Sequence, residues 1–147
     1  MNRMTHREIM AAYLATALTL LALDAVWLTL MADLLYRPAI GHLMAKRFAL
    51  VPAVVFYGLY IAGVVGFAVA AGVAARRWTV ALRRGAALGL IAYATFDLTN
   101  QATLMGWPWS VTLADLAWGT AMTGLAAAAG ARAAISWGRS PTRASRP

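Results

Sequence analysis

Short breaks divide most of this sequence into four apolar stretches, about Ile9 to Met31, Val51 to Ala75, Gly85 to Met105 and Thr112 to Ile135. Crossing the roughly 30 Å hydrocarbon core of a bilayer takes about 20 helical residues, and each stretch is long enough. Open sheets are excluded, because lipid offers no partner to an unpaired backbone N–H or C=O. The expectation is an all-helical polytopic membrane protein, a four-transmembrane-helix bundle. Residues 1–139 form its single domain, and the Arg-, Ser- and Pro-rich residues 140–147 form a disordered basic tail.

Composition points the same way. Hydrophobic residues make up 62% of the chain and charged residues 12%, against roughly 45–50% and about 25% in soluble domains. A soluble globule and a disordered chain are both excluded. The first apolar run is longer than the roughly 7–15-residue apolar core of a signal peptide, so it reads as a permanent span. With no Cys there is no disulfide, thiolate metal site or Cys nucleophile.

The basic residues set an orientation. Arg3, Arg7, Arg76, Arg77, Arg83, Arg84, Arg132, Arg139, Arg143 and Arg146 flank one side of the spans, and Arg37, Lys46 and Arg47 flank the other. The positive-inside rule then places both termini in the cytoplasm of a bacterial inner membrane. The net charge of +8 is thus a topology signal; it suits anionic headgroups and does not point to nucleic acid. On the outer side, Asp33 and Arg37 are spaced as an i,i+4 pair. Pro38 stops or restarts the helix. Pro38 to Phe48 suits a short amphipathic helix at the interface, and Trp107 and Trp109 suit the headgroup belt.

Small residues at helical spacing, Gly58, Ala62, Gly66 and Ala70 in the second span and Gly85 and Gly89 in the third, allow close helix packing or a homodimer. Leu23-Asp24-Ala25-Val26-Trp27 and Phe96-Asp97-Leu98-Thr99-Asn100 suggest a two-hairpin internal repeat.

Ionisable residues inside a membrane are costly and are functional candidates by default. Asp24 and Asp97 fall at similar depths in the outer half. Trp27 follows Asp24 by three residues, Asn100 and Gln101 share the face of Asp97, and Asp115 and Trp118 repeat the Asp-x-x-Trp spacing. The candidate ligand site is therefore Asp24, Trp27, Asp97, Asn100, Gln101, Asp115 and Trp118. Two plainer roles compete with it. Asp115 follows Thr112 as in a capping box, and Asp24 and Asp97 could be interhelical hydrogen-bonding glue. His6 and His42 have no partner at a ligand spacing, so no metal or cofactor is expected. There is no phosphate loop or nucleophile elbow. An enzyme would have to work through carboxylates alone, so enzymatic activity is not the leading expectation. The leading reading is a binding or transport-type protein with a protonatable Asp24/Asp97 site open to the outer side, taking a small cation, a proton or a lipid. The alternatives are a structural or accessory subunit and a small lipid-related enzyme.

The chain also resembles an uncharacterised family of small bacterial four-span inner-membrane proteins, a domain-of-unknown-function family. The resemblance rests on Leu23-Asp24-Ala25-Val26-Trp27-Leu28, Tyr36-Arg37-Pro38, Phe56-Tyr57 with Tyr60, and Tyr93-Ala94-Thr95-Phe96-Asp97-Leu98-Thr99-Asn100-Gln101-Ala102-Thr103-Leu104. It continues through Gly106-Trp107-Pro108 and Asp115-Leu116-Ala117-Trp118-Gly119. It implies the membrane location and the four spans, and no established activity. Phe96 and Met105 stand where relatives often carry Tyr and Lys, which removes a hydroxyl and an amine from any mechanism that needs them.

Overall fold

The computed structural model describes residues 4–138, and its regular structure is helical throughout. The expected disordered tail at 140–147, with Arg3, Arg139, Arg143 and Arg146, lies outside the described residues. Four long helices follow one another: α1 (His6–Leu43), α2 (Leu50–Ala74), α3 (Trp78–Thr103) and α4 (Trp109–Trp137). α1 and α2 are long and apolar enough to cross a membrane. α3 and α4 have 26 and 29 residues, about 39 and 43 Å at 1.5 Å per residue, and they carry more of the polar side chains.

α1 begins three residues before the expected Ile9, because Thr5 and Glu8 form a capping box. The Thr5 N–H donates to Glu8 Oε2 at 2.8 Å and the Glu8 N–H donates to Thr5 Oγ1 at 3.3 Å. The helix also ends later than Met31. It widens into a π turn at Ala32–Tyr36, then continues as Arg37–Ile40 and a 3-10 turn at Gly41–Leu43. Pro38 therefore neither stops nor restarts the helix. The Arg37 N–H bonds to the Ala32 carbonyl five residues back, and this wider turn makes room where the Pro38 ring would press on the preceding turn. The amphipathic helix expected over Pro38 to Phe48 does not form, since helical structure ends at Leu43. Arg37 does pair with Asp33, on an exposed surface.

The turn between α2 and α3 is only Ala75–Arg77, and Arg76 adopts the left-handed conformation (φ 54°). Arg83 and Arg84 thus lie on the second turn of α3, exposed, and not in a loop. Between α3 and α4, Gly106 supplies the left-handed residue (φ 76°).

α4 is the central helix and packs along both α1 and α3. Small residues bring the backbones together, as expected for Gly85 and Gly89. A Cβ on Gly85 would lie 2.7 Å from the Thr123 carbonyl oxygen. On the α1 side, a Cβ on Gly130 would lie 2.1 Å from Thr16 Oγ1. α2 leans on α3 and α4 through its second half, where Val64, Ala68, Val69 and Val73 join the core with Ala127 and Ala131. The small residues Gly58, Ala62 and Gly66 are exposed, and nothing lies within 4 Å of a Cβ built on either glycine. That stripe faces away from its own bundle. Gly58→Ala should accordingly cause no clash and, by helix propensity, stabilise the bundle by up to about 1 kcal/mol, when thermal unfolding is followed in detergent.

The outer surface suits lipid. Leu18, Phe48, Val51, Leu59 and Phe67 are all strongly exposed, more apolar surface than water tolerates on a small monomer. Hydroxyls on this surface are satisfied within their own helix. Thr95, Thr99 and Thr103 donate to carbonyls four residues back at 2.7, 2.5 and 2.7 Å, which removes the cost of facing hydrocarbon. The chain is an all-helical membrane bundle.

Its two ends differ in charge. The start of α1 and the end of α4 come together, a Cβ on Gly138 falling 2.3 Å from Glu8 Oε1. The α2–α3 turn lies at the same end, where Gly72 abuts Ala81 and Ala131. This end carries Arg7, Arg76, Arg77, Arg83, Arg84 and Arg132, the last stacked over the Trp78 ring at 3.9 Å. The opposite end carries Arg37, Lys46 and Arg47 and the cavity described next.

Candidate functional site

A cavity of about 340 Å³ opens at the end of the bundle opposite the arginine-rich one. Asp24 and Trp27 reach it from α1, Tyr93 and Phe96 from α3, and Asp115 and Trp118 from α4. The π turn, through its last residue Tyr36, and the extension of α1 beyond it, through Ile40, reach over the cavity. Without that extra residue in the turn, Tyr36 would point elsewhere, since a π turn rotates all that follows it.

Both carboxylates are buried, and each is held by a tyrosine from another helix. The Tyr57 hydroxyl of α2 donates to Asp24 Oδ2, and the Tyr36 hydroxyl donates to Asp115 Oδ1. Trp27 Nε1 in turn donates to the Tyr36 hydroxyl at 2.8 Å. Trp27 and Trp118 stack face to face, with centroids 4.5 Å apart and planes 6° from parallel. The second oxygens, Asp24 Oδ1 and Asp115 Oδ2, receive no protein hydrogen bond among the described residues, and no Lys or Arg lines the cavity. Trp118 Nε1 is buried without a hydrogen-bond partner among the described residues.

The seven residues expected from the sequence are thus divided. Asp24, Trp27, Asp115 and Trp118 share the cavity wall. Asp97 is fully buried (0% exposed), off that wall, and neither of its oxygens has a hydrogen-bond partner among the described residues. Asn100 is half-buried one turn beyond it. Gln101 has a different role. Its Nε2 donates to the Trp107 carbonyl at 2.9 Å, and its Oε1 accepts from Thr112 Oγ1 at 3.1 Å, pinning the α3–α4 turn. Trp107 Nε1 completes the clamp by donating to Thr112 Oγ1 at 3.1 Å. Gln101→Ala removes two of these bonds and should cost about 1–3 kcal/mol of stability, read from thermal unfolding.

Two expectations are corrected here. α4 starts at Trp109 with Pro108 as its N-cap and no side-chain capping bond, so Thr112 and Asp115 form no capping box. Asp115 is one turn too deep for that role, which leaves its carboxylate to Tyr36. Trp107 is only 8% exposed and is tied into the clamp; only Trp109 is free for a headgroup belt. Tyr36, Tyr57 and Tyr93 were missed as site residues. Tyr57 lies 33 residues from Asp24 and Tyr36 lies 79 from Asp115, so no local spacing connects them.

Fold and cavity together define a small helical membrane protein with a carboxylate-bearing pocket between its helices. A family model described as "Predicted membrane protein (DUF2177)" matches residues 9–132, and the chain belongs to that family. No curated protein and no solved structure matches it significantly.

Proposed function

We propose that this is a binding or transport-type membrane protein whose site takes a small cation, with Asp24 and Asp115 as the charged wall. The observation that carries the reading is the pair of carboxylates on one aromatic-walled cavity, each held by a tyrosine hydroxyl and neither compensated by a cationic side chain. Buried carboxylates without a cation call for a proton or a positive ligand. Aromatic faces around them attract a cation as well.

In this reading all four long helices cross a bacterial inner membrane with both termini in the cytoplasm. The arginine-rich end is the inner one and meets anionic headgroups. The cavity then opens on the outer side, under Tyr36 and Ile40.

A cation screen tests the reading. The protein is placed in nanodiscs of phosphatidylglycerol and titrated with sodium, potassium and methylammonium while tryptophan emission is followed. At least one cation should give a saturable change through Trp27 and Trp118, and Asp24→Asn should remove it. A protein whose emission responds to none of the three is not a cation-binding protein of this kind.

A further inference from the structure

The carboxylate cavity is not closed on itself. A second cavity of about 300 Å³ is lined by Phe56, Tyr60 and Ala92 and shares Tyr93, Phe96 and Asp115 with the first. The two cavities are thus neighbours, with Tyr93, Phe96 and Asp115 standing between them. The second runs between α2 and α3, where the first half of α2 leans away from the core. Its rim residues Phe56 and Phe96 are 46% and 59% exposed on the lipid-facing surface. One end of the combined space is anionic and aromatic, and the other is apolar and open to hydrocarbon.

That shape speaks against a bare metal ion. Calcium takes six to eight oxygen ligands and magnesium about six, and no group of three or more His, Cys, Asp or Glu side chains is placed to hold a metal among the described residues. Stacked indoles and a phenyl ring cannot replace a hydration shell. They suit a weakly hydrated organic cation. The two carboxylate oxygens that the tyrosines leave free, Asp24 Oδ1 and Asp115 Oδ2, suit the N–H groups of an ammonium.

Building on the cation reading above, we propose that the two neighbouring cavities together take an alkylammonium amphiphile, the side chains between them giving way to its chain. Its ammonium group sits between Asp24 and Asp115 against Trp27 and Trp118, and its aliphatic chain leaves through the α2–α3 gap past Ala92. The same chemistry is offered by an amine-bearing lipid and by a free alkylamine.

The test uses the full chain in phosphatidylglycerol nanodiscs, which contain no amine. Potassium, methylammonium and octylammonium are titrated against tryptophan emission, on the wild type and on Ala92→Phe, which fills the gap. Ala92→Val serves as the milder version should the larger side chain prevent folding. Octylammonium should bind about tenfold or more tighter than methylammonium, the worth of roughly two buried methylenes. The substitution at Ala92 should abolish that advantage and leave methylammonium affinity in place. A chain-length advantage that survives in the Ala92 variants reflects partition into the bilayer and overturns the proposal. Potassium binding as tightly as octylammonium also overturns it, while leaving the cation reading intact. No response to any cation defeats both. In a separate arm, nanodiscs containing phosphatidylethanolamine are examined by native mass spectrometry. Retention of that lipid, displaced by octylammonium, assigns the chemistry to a lipid; its absence, with octylammonium still bound, assigns it to a free amine.

Discussion

Asp115→Asn is expected to weaken cation binding sharply and to loosen the far end of α1 together. The side chain keeps its shape but loses its charge. It accepts the Tyr36 hydroxyl, which itself accepts Trp27 Nε1, so one carboxylate holds both the cavity wall and the extension that covers it. A hydrogen bond to a charged group contributes about 1.5–3 kcal/mol, and the lost charge removes half of the attraction for the ligand. Affinity should fall by about 100-fold or more, near 2.7 kcal/mol. Amide hydrogen exchange should rise over Ala32–Leu43 and stay constant in α3 and in the second half of α4. Unaltered affinity in a folded Asp115→Asn protein would remove this residue from the site. Faster exchange throughout the bundle would instead make it a residue of general stability.

Gly89→Val should prevent the bundle from assembling. A Cβ at residue 89 falls 2.1 Å from the Gly119 carbonyl oxygen and 2.7 Å from Thr123 Oγ1. The nearer obstacle is backbone, so it cannot swing aside as a side chain would. Relief requires α3 and α4 to separate along their whole contact. Overpacking usually costs about 1–3 kcal/mol, and a backbone clash across a helix pair belongs above that range. Gel filtration should show aggregate in place of a monodisperse peak, with tryptophan emission shifted to the red. Gly58→Ala, on the open face of α2, is the control. A Gly89→Val protein that purifies and melts like the wild type would mean that α3 and α4 do not approach as described.

The four long helices were legible because lipid imposes a length and a composition, and both are written along the chain. Boundaries were less so. The Thr5/Glu8 capping box is visible as Thr-x-x-Glu, yet the apolar run draws attention to Ile9. Pro38 reads as a helix breaker because the local rule assumes an α turn before it; the π turn at Ala32–Tyr36 changes that premise, and no residue pattern announced it. Asp24, Trp27, Asp115 and Trp118 could be picked out because an acid in a span is rare and the Asp-x-x-Trp spacing repeats. Their true partners could not. Tyr36 and Tyr57 reach the carboxylates from other parts of the fold, and hydrogen bonds across so many residues leave no periodicity. The similar motifs around Asp24 and Asp97 proved a poor guide to role. Asp24 has a tyrosine partner and faces the cavity, whereas Asp97 is sealed away with none. Gln101 shares a helix face with Asp97 but is drawn to the turn by Trp107 and Thr112.

The central claim is that Asp24 and Asp115 together hold a positive ligand. It is tested most directly by native mass spectrometry of the protein purified in mild detergent, beside the double variant Asp24→Asn/Asp115→Asn. The account predicts a discrete additional mass on the wild type, released as a cation on activation in the gas phase and missing from a folded double variant. The same bound mass on both proteins, or a ligand-free species in both after incubation with saturating octylammonium, would contradict it.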